Sequence, residues 1–247
     1  MLFGAVGGDV VVAVAGVILF ASLVTAVAGF GFALMSVPLM SLVIDIHTAV
    51  VVSSMVSVCA NGVQAFVDRR YRDGTLIRRL TLACFIGLPF GYLVYRAVGD
   101  TALRIVLGAG VIVAVALLSR GLNLTHVGPG LDWAMGIISG VLSTSISTSG
   151  PPLVFDLQAR RLDPNVFRAT IQAVFLFAGL AGLVLFSVGG DIGRDELAIS
   201  AAAVPALAAG LLLGFPLRRR VTGDRFRVLV NVLLTVSAVA AVSKAFT

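Results

Sequence analysis

Charged positions divide this chain into long apolar runs joined by short polar connections. In the first half the uncharged, mainly apolar runs cover residues 10–44, 48–67, 80–95 and 105–119, and in the second 133–155, 169–190, 197–217 and 228–243. An apolar helix needs about 20 residues to cross a bilayer, with about 17 as the lower limit. Most runs therefore predict one spanning helix each, the shortest borrowing flanking residues while Arg96, Arg104 or Lys244 reaches out to the interface. The first run, 10–44, is too long for a single pass. Gly29, Gly31 and Pro38 break it into a full helix of about 10–28 and a shorter element of about 30–44. A matched break falls at 143–152 in the second half, where Ser147, Thr148, Ser149, Gly150, Pro151 and Pro152 follow one another. The pattern predicts an all-α polytopic membrane protein of about eight full transmembrane helices plus two short broken or re-entrant elements.

Composition agrees and closes other classes. Of 247 residues 59% are hydrophobic and 12% charged, with a mean hydropathy of +1.07, against about 25% charged in an ordinary soluble domain. A soluble enzyme, a disordered chain and a secreted disulfide scaffold are excluded. Cys59 and Cys84 lie inside apolar runs, where a thiol behaves as a small hydrophobe. No basic stretch precedes the first apolar run, whose first charge is Asp9, so the first segment is expected to be retained rather than cleaved.

The net charge of +6 comes from 18 basic residues placed in the connections, which points to membrane topology rather than to nucleic acid. Placing the clusters at 69–79 and 218–227 inside, and alternating the passes, collects 14 basic residues on the inner side and leaves four outside. Both termini then face outward. Sliding the second half back by 118 positions lays Ser149-Gly150 on Gly31-Phe32 and Asp163 on Asp45, and near the end of each half an offset of 124 lays Gly223-Asp224 on Gly99-Asp100. Corresponding loops fall on opposite faces, which predicts two inverted repeats, residues 1–122 and 123–247, within one membrane domain. Proteins so built bind their cargo near the midplane at broken helices.

The candidate site follows from those breaks. Backbone interrupted within a bilayer must be buried in protein or line a cavity. Helices starting after Gly31 and Gly150 present free N–H groups and the positive ends of their dipoles, an arrangement suited to an anion. Gly29, Phe30, Gly31 and Phe32 would form one wall, and Ser147, Thr148, Ser149, Gly150, Pro151 and Pro152 the other. Asn61, Gln64 and Gln172 are polar residues deep in the helices, each suited to line a path or to bond a neighbouring helix. Asp156 follows Pro152 closely and is the candidate for a coupling ion, or else pairs with Arg160. Asp45, His47 and Asp163 stand at helix ends and read as caps. No ligand spacing for a metal, no phosphate loop and no dinucleotide fingerprint occurs, so no cofactor is expected.

These motifs have a family likeness. Gly29-Phe30-Gly31-Phe32 with Val37-Pro38-Leu39, and Ser149-Gly150-Pro151-Pro152-Leu153-Val154 with Asp163-Pro164 and Arg168-Ala169-Thr170, resemble the TauE/SafE family of sulfite and organosulfur anion exporters, also grouped as toluenesulfonate-uptake permeases. The resemblance covers nearly the whole chain and implies a bacterial inner-membrane permease for sulfite, a sulfonate such as sulfoacetate, or a related small anion. It departs from the family at Ser147, Thr148 and Ser149, where more glycine is usual, and at Asp156, where an apolar or aromatic residue is expected. The expected function is a secondary permease, not an enzyme, exporting a small sulfur-containing anion, with H+ or Na+ as coupling ion. Its expected partners are the lipid bilayer and the small anionic substrate, and a homo-oligomer is compatible. Two alternatives stand beside it. One is a channel or permease for another small organic anion. The other is an intramembrane serine protease built on Ser149-Gly150, which lacks both the preceding glycine, Ser147 standing there, and a helical histidine base.

Overall fold

The computed structural model describes residues 8–99, 128–160 and 162–218. The predicted spans 105–119 and 228–243, His126, the basic residues 219–227 and both chain termini lie outside the described residues. Eight α-helices occupy the described residues: α1 Gly8–Ala28, α2 Phe32–Met40, α3 Ile46–Val67, α4 Gly74–Ala97, α5 Pro129–Ile146, α6 Gly150–Ala159, α7 Pro164–Gly189 and α8 Arg194–Arg218. Five of these, α1, α3, α4, α7 and α8, are long and apolar enough to cross a membrane by length and composition. At 18 residues α5 is shorter and carries Asp132 and four hydroxyl side chains. The two breaks fall where the glycines and serines predict them, so that each half runs long helix, short helix, long helix, long helix.

Helix boundaries follow local chemistry. Asp45 caps α3 by accepting from Thr48 N at 3.1 Å, Asp73 caps α4 by accepting from Thr75 N and Leu76 N at 3.0 Å, and Asp163 caps α7 by accepting from Asn165 N at 2.8 Å. His47 is not a cap. It lies in the first turn of α3 with its ring edge-on to Tyr95, 4.8 Å between centroids. Between α1 and α2, Gly29 (φ +84°) and Gly31 (φ +98°) take left-handed backbone that only glycine adopts without strain.

Packing pairs elements across the two halves. α1 lies along α8, α4 along α5, and α3 crosses the middle against α7. Glycine permits the close pairs. A methyl group at Gly87 or Gly91 of α4 would stand 2.1 Å from Ile137 O or 2.0 Å from Val141 O of α5, and one at Gly210 or Gly214 of α8 would stand 2.5 Å from Leu19 O or 3.0 Å from Leu23 O of α1. Backbones this close are the small-residue packing of membrane helices. Ile137 and Val141 lie 118 residues after Leu19 and Leu23, and Gly210 and Gly214 lie 123 after Gly87 and Gly91.

Contacts at the helix ends fix directions. At one end Arg218 of α8 grips both carboxylate oxygens of Asp68, Arg79 and Arg160 reach Asp132, and Asp73 N donates to Thr170 Oγ1 of α7. At the other, Arg96 contacts Gly189 O and Asp191, and Thr48 bonds Glu196. Among the described residues, Arg79, Arg160 and Arg218, all predicted to face inward, thus gather at one end of the bundle. α3 runs toward that end and α7 away from it, α4 away and α8 toward, and the parallel pairs carry α1 with α8 and α5 with α4.

Candidate functional site

The two breaks meet around one cavity. Its wall is formed by Thr25 of α1, by Phe30 through Leu34 at the start of α2, by Ser57 and Asn61 of α3, by Ser147 through Gly150 at the start of α6, and by Phe175 of α7; the open space is about 350 Å³, mouth included. A second recess continues from it past Ser54, Ser57, Asn61 and Ser147 toward Gly179, Gly182 and Phe186. Among the described residues, no charged side chain lines either space.

Donors come from each short helix by different means. In α2 the first intrahelical bond is Met35 N to Gly31 O at 3.1 Å, so the N–H groups of Phe32, Ala33 and Leu34 precede the ladder and form the positive end of the helix. In α6 the second and third residues are Pro151 and Pro152, which have no N–H to offer. Here the hydroxyls of Ser147 and Ser149 take their place on the wall, beside Thr148, whose hydroxyl donates to Ile146 O at 3.1 Å. Helix termini of this kind hold oxyanions without a formal positive charge.

Each turn is tied to the opposite half by a side chain. Gln172 of α7 donates from Nε2 to Gly29 O at 2.6 Å, and Ser54 of α3 has its Oγ 3.0 Å from Ser147 Oγ. An offset of 118 carries Gly29 to Ser147 and Ser54 to Gln172, so the two ties are reciprocal. Behind the first turn lies the buried guanidinium of Arg168, whose Nε donates to Val27 O at 3.0 Å and whose Cγ would stand 2.7 Å from a methyl at Gly29.

Of the residues read from sequence, Phe30, Gly31, Phe32, Asn61, Ser147, Thr148, Ser149 and Gly150 line the cavity. Gly29 and Gln172 stand behind it as the tie described above. Pro151 and Pro152 are buried within α6, and Gln64 is buried with its Nε2 turned to Ala60 O at 3.4 Å. Asp156 is not in the wall; it is buried and pairs with Arg160 at 3.4 Å. Sequence reasoning missed Thr25, Ser54, Ser57 and Phe175. Ser54, Ser57 and Asn61 fall on one face of α3 at helical spacing, a polar stripe that would have found the first two. Among the described residues no histidine lines the cavity beside Ser149.

Ser147 itself is held at φ +57°, the left-handed region that glycine usually fills. Its hydroxyl is thus kept at a conformational cost. Ser147→Gly relieves up to about 1 kcal/mol of strain but removes the bond from Ser54 Oγ, worth about 0.5–1.5 kcal/mol, so the unfolding temperature is expected to stay close to the parent's while binding of an anion weakens. A variant that binds as tightly as the parent would remove this hydroxyl from the site.

A multi-pass helical bundle with a polar, uncharged cavity between two helix N-termini is the architecture of a membrane transport protein. The family model described as Sulfite exporter TauE/SafE matches residues 14–241, and the chain belongs to that family. Over 116 residues it is 27% identical to a protein of Cupriavidus necator named "Probable sulfite/organosulfonate exporter TauE", a match covering 46% of this chain and 45% of that protein. The match thus spans less than half of that relative's length. No solved structure matches the chain.

Proposed function

We propose that this protein is a secondary permease of the bacterial inner membrane that exports a small sulfur oxyanion, sulfite or a sulfonate such as sulfoacetate, through the cavity between α2 and α6. The observation that carries the reading is the convergence of two helix N-termini on one hydroxyl-lined cavity without a charged side chain in its wall. Phe32, Ala33 and Leu34 supply N–H groups; Asn61, Ser147 and Ser149 supply amide and O–H donors, while Ser57 and Thr148, whose hydroxyls donate to Ser54 O and Ile146 O, complete the wall. Gly29 and Gln172 hold the first turn in place, with Pro151 and Pro152 stiffening the second, Gln64 behind Asn61 on α3, and Asp156 as the coupling residue for H+ or Na+. No cofactor enters the scheme. The name of the Cupriavidus relative supports the substrate class.

On this reading residues 1–122 and 123–247 are inverted repeats contributing eight full spans, with both termini on the outer face. Support comes from the matched element order, the opposed directions of corresponding helices, the reciprocal ties and the paired glycine contacts. The basic residues gathered at one end of the bundle would face the cytoplasm.

The test is ligand stabilisation of the purified protein, followed by flux in proteoliposomes. A binding anion at 100 times its dissociation constant adds about 2.7 kcal/mol. Sulfite or sulfoacetate is expected to raise the unfolding temperature where phosphate and taurine do not. If only carboxylates shifted it, the alternative permease for another organic anion would take over; flux that neither saturates nor responds to a counter-ion gradient would favour a channel.

A further inference from the structure

One buried cluster has no counterpart among the described residues of the other half. Asp132 of α5 and Asp156 of α6 are both 0% exposed. Arg160 joins them through one nitrogen, Nη2, which bonds Asp132 Oδ1 and lies 3.4 Å from Asp156 Oδ1. Arg79 of α4 stands 3.4 Å from Asp132 Oδ2. The remaining oxygen, Asp156 Oδ2, is buried without a hydrogen-bond partner. At the offset of 118 that relates the two turns, Asp132 falls on Val14 and Asp156 on Pro38, both buried. The same two positions are therefore filled in the other half by apolar side chains. Buried charges often stabilise no better than apolar side chains of similar volume, so packing does not account for this pair.

We propose that Asp132 and Asp156 form a proton-binding site, with Asp156 the group that takes and releases the proton. Two carboxylates sharing one guanidinium nitrogen oppose each other's ionisation, and an oxygen shut away from water is costly as a bare charge and satisfied as O–H. Arg160 occupies the position between the carboxylates where a metal cation would sit, which favours a proton over Na+. α4 presents Arg79 to Asp132. α7 brings Asp163, which caps Asn165 N, and Arg168, which donates to Val27 O. Arg160 is 21% exposed and Arg79 42%, so the pair lies close beneath solvent at the basic end of the bundle.

Taken with the proposed permease, on which this step rests, the site couples a proton to the anion. Asp156 stands less than two turns along α6 from Gly150, whose end of the helix lines the cavity. When Asp156 is ionised, Arg160 is shared within α6 and with α5. When Asp156 carries the proton, Arg160 is left to Asp132, and α6 is tied more firmly to α5. The proton thereby adjusts the helix that forms one wall of the anion cavity.

Two measurements on the full chain in bilayers decide it. Infrared difference spectra across the neutral pH range need no transport: the parent is expected to show one carboxylic-acid carbonyl band that titrates, Asp156→Asn to lose it, and Asp132→Asn to keep it with its titration moved to lower pH, because the neighbouring negative charge is gone. Absence of the band in the parent, or its survival in D156N, overturns the proposal. In proteoliposomes loaded with sulfoacetate, whose sulfonate stays ionised, a gradient of one pH unit should change the accumulation ratio about tenfold for one proton per anion. D156N should lose that response yet keep exchange between equal anion pools; an undiminished response in D156N overturns it. If the parent carries no sulfoacetate, the sulfur-anion reading fails, and the infrared result still decides the proton site.

Discussion

Gly150→Leu leaves a folded protein that no longer moves its anion. A methyl group at Gly150 would meet Phe30 Cδ2 at 3.6 Å, Leu34 Cδ1 at 3.8 Å and Phe175 Cζ at 3.9 Å, all ordinary contacts. The backbone there is helical and unstrained, so Gly150→Ala is expected to be nearly silent in both stability and transport. The further atoms of leucine have only the cavity to enter, between the two helix N-termini. Transport is expected to fall at least about tenfold, equivalent to 1.4 kcal/mol or more at the rate-limiting step, with the unfolding temperature close to that of the alanine variant. Flux in proteoliposomes checks it. Normal flux through G150L would show that the anion passes elsewhere.

The second large effect concerns stability. Gly140→Ala places a methyl 2.1 Å from Cys84 O, with the Cys84 carbonyl and α-carbons at 2.9 and 3.0 Å. These are backbone atoms of α4 and cannot rotate away, so α4 and α5 must separate along their whole contact. Gly91→Ala does the same against Val141 O. Overpacking of this kind costs about 1–3 kcal/mol and sometimes more, and either variant should show a sharply lower unfolding temperature and reduced yield. Gly62→Ala, whose methyl would meet Leu176 Cδ1 at 3.7 Å, is the control. Gly210→Ala is expected to be destabilising as well, because beyond the Ser22 hydroxyl at 1.9 Å its methyl would stand 2.5 Å from Leu19 O, a backbone atom of α1 that cannot turn aside. Equal stability of G140A and the parent would contradict the close packing of α4 on α5.

Much of this was legible in the chain because bilayers constrain backbone so strongly. Apolar runs set by charge spacing located α3, α4, α7 and α8, and glycine and proline located both breaks, since uninterrupted helix is the only backbone that hides its polar groups in lipid. Helix ends were less so. The run beginning at Leu80 starts at Gly74 in the fold, because Asp73 caps the helix and the arginines at 78 and 79 ride on its first turns. The site was half visible. Glycine, serine and proline at the breaks announce themselves by conformation, whereas Thr25, Ser54, Ser57 and Phe175 enter the wall only through tertiary packing of α1, α3 and α7. Asp156 drew attention as a carboxylate in an apolar run, but its partner Asp132 lies 24 residues earlier on another helix, and no local pattern joins them. The glycine contacts of α4 and α8 correspond at an offset of 123, while Asp100, Gly223 and Asp224, on which the 124-residue offset rests, lie outside the described residues.

The replacement of backbone N–H by proline at the start of α6 makes the two sides of the cavity unlike in one further respect. The N–H groups of α2 can only donate, whereas the hydroxyls of Ser147 and Ser149 both donate and accept. A cargo with an oxyanion at one end and a hydroxyl or amine at the other therefore has a preferred polarity in the cavity, head toward α2 and tail toward α6. A small, nearly spherical anion has none. The cavity would thus hold elongated cargo in a single orientation and let compact cargo tumble.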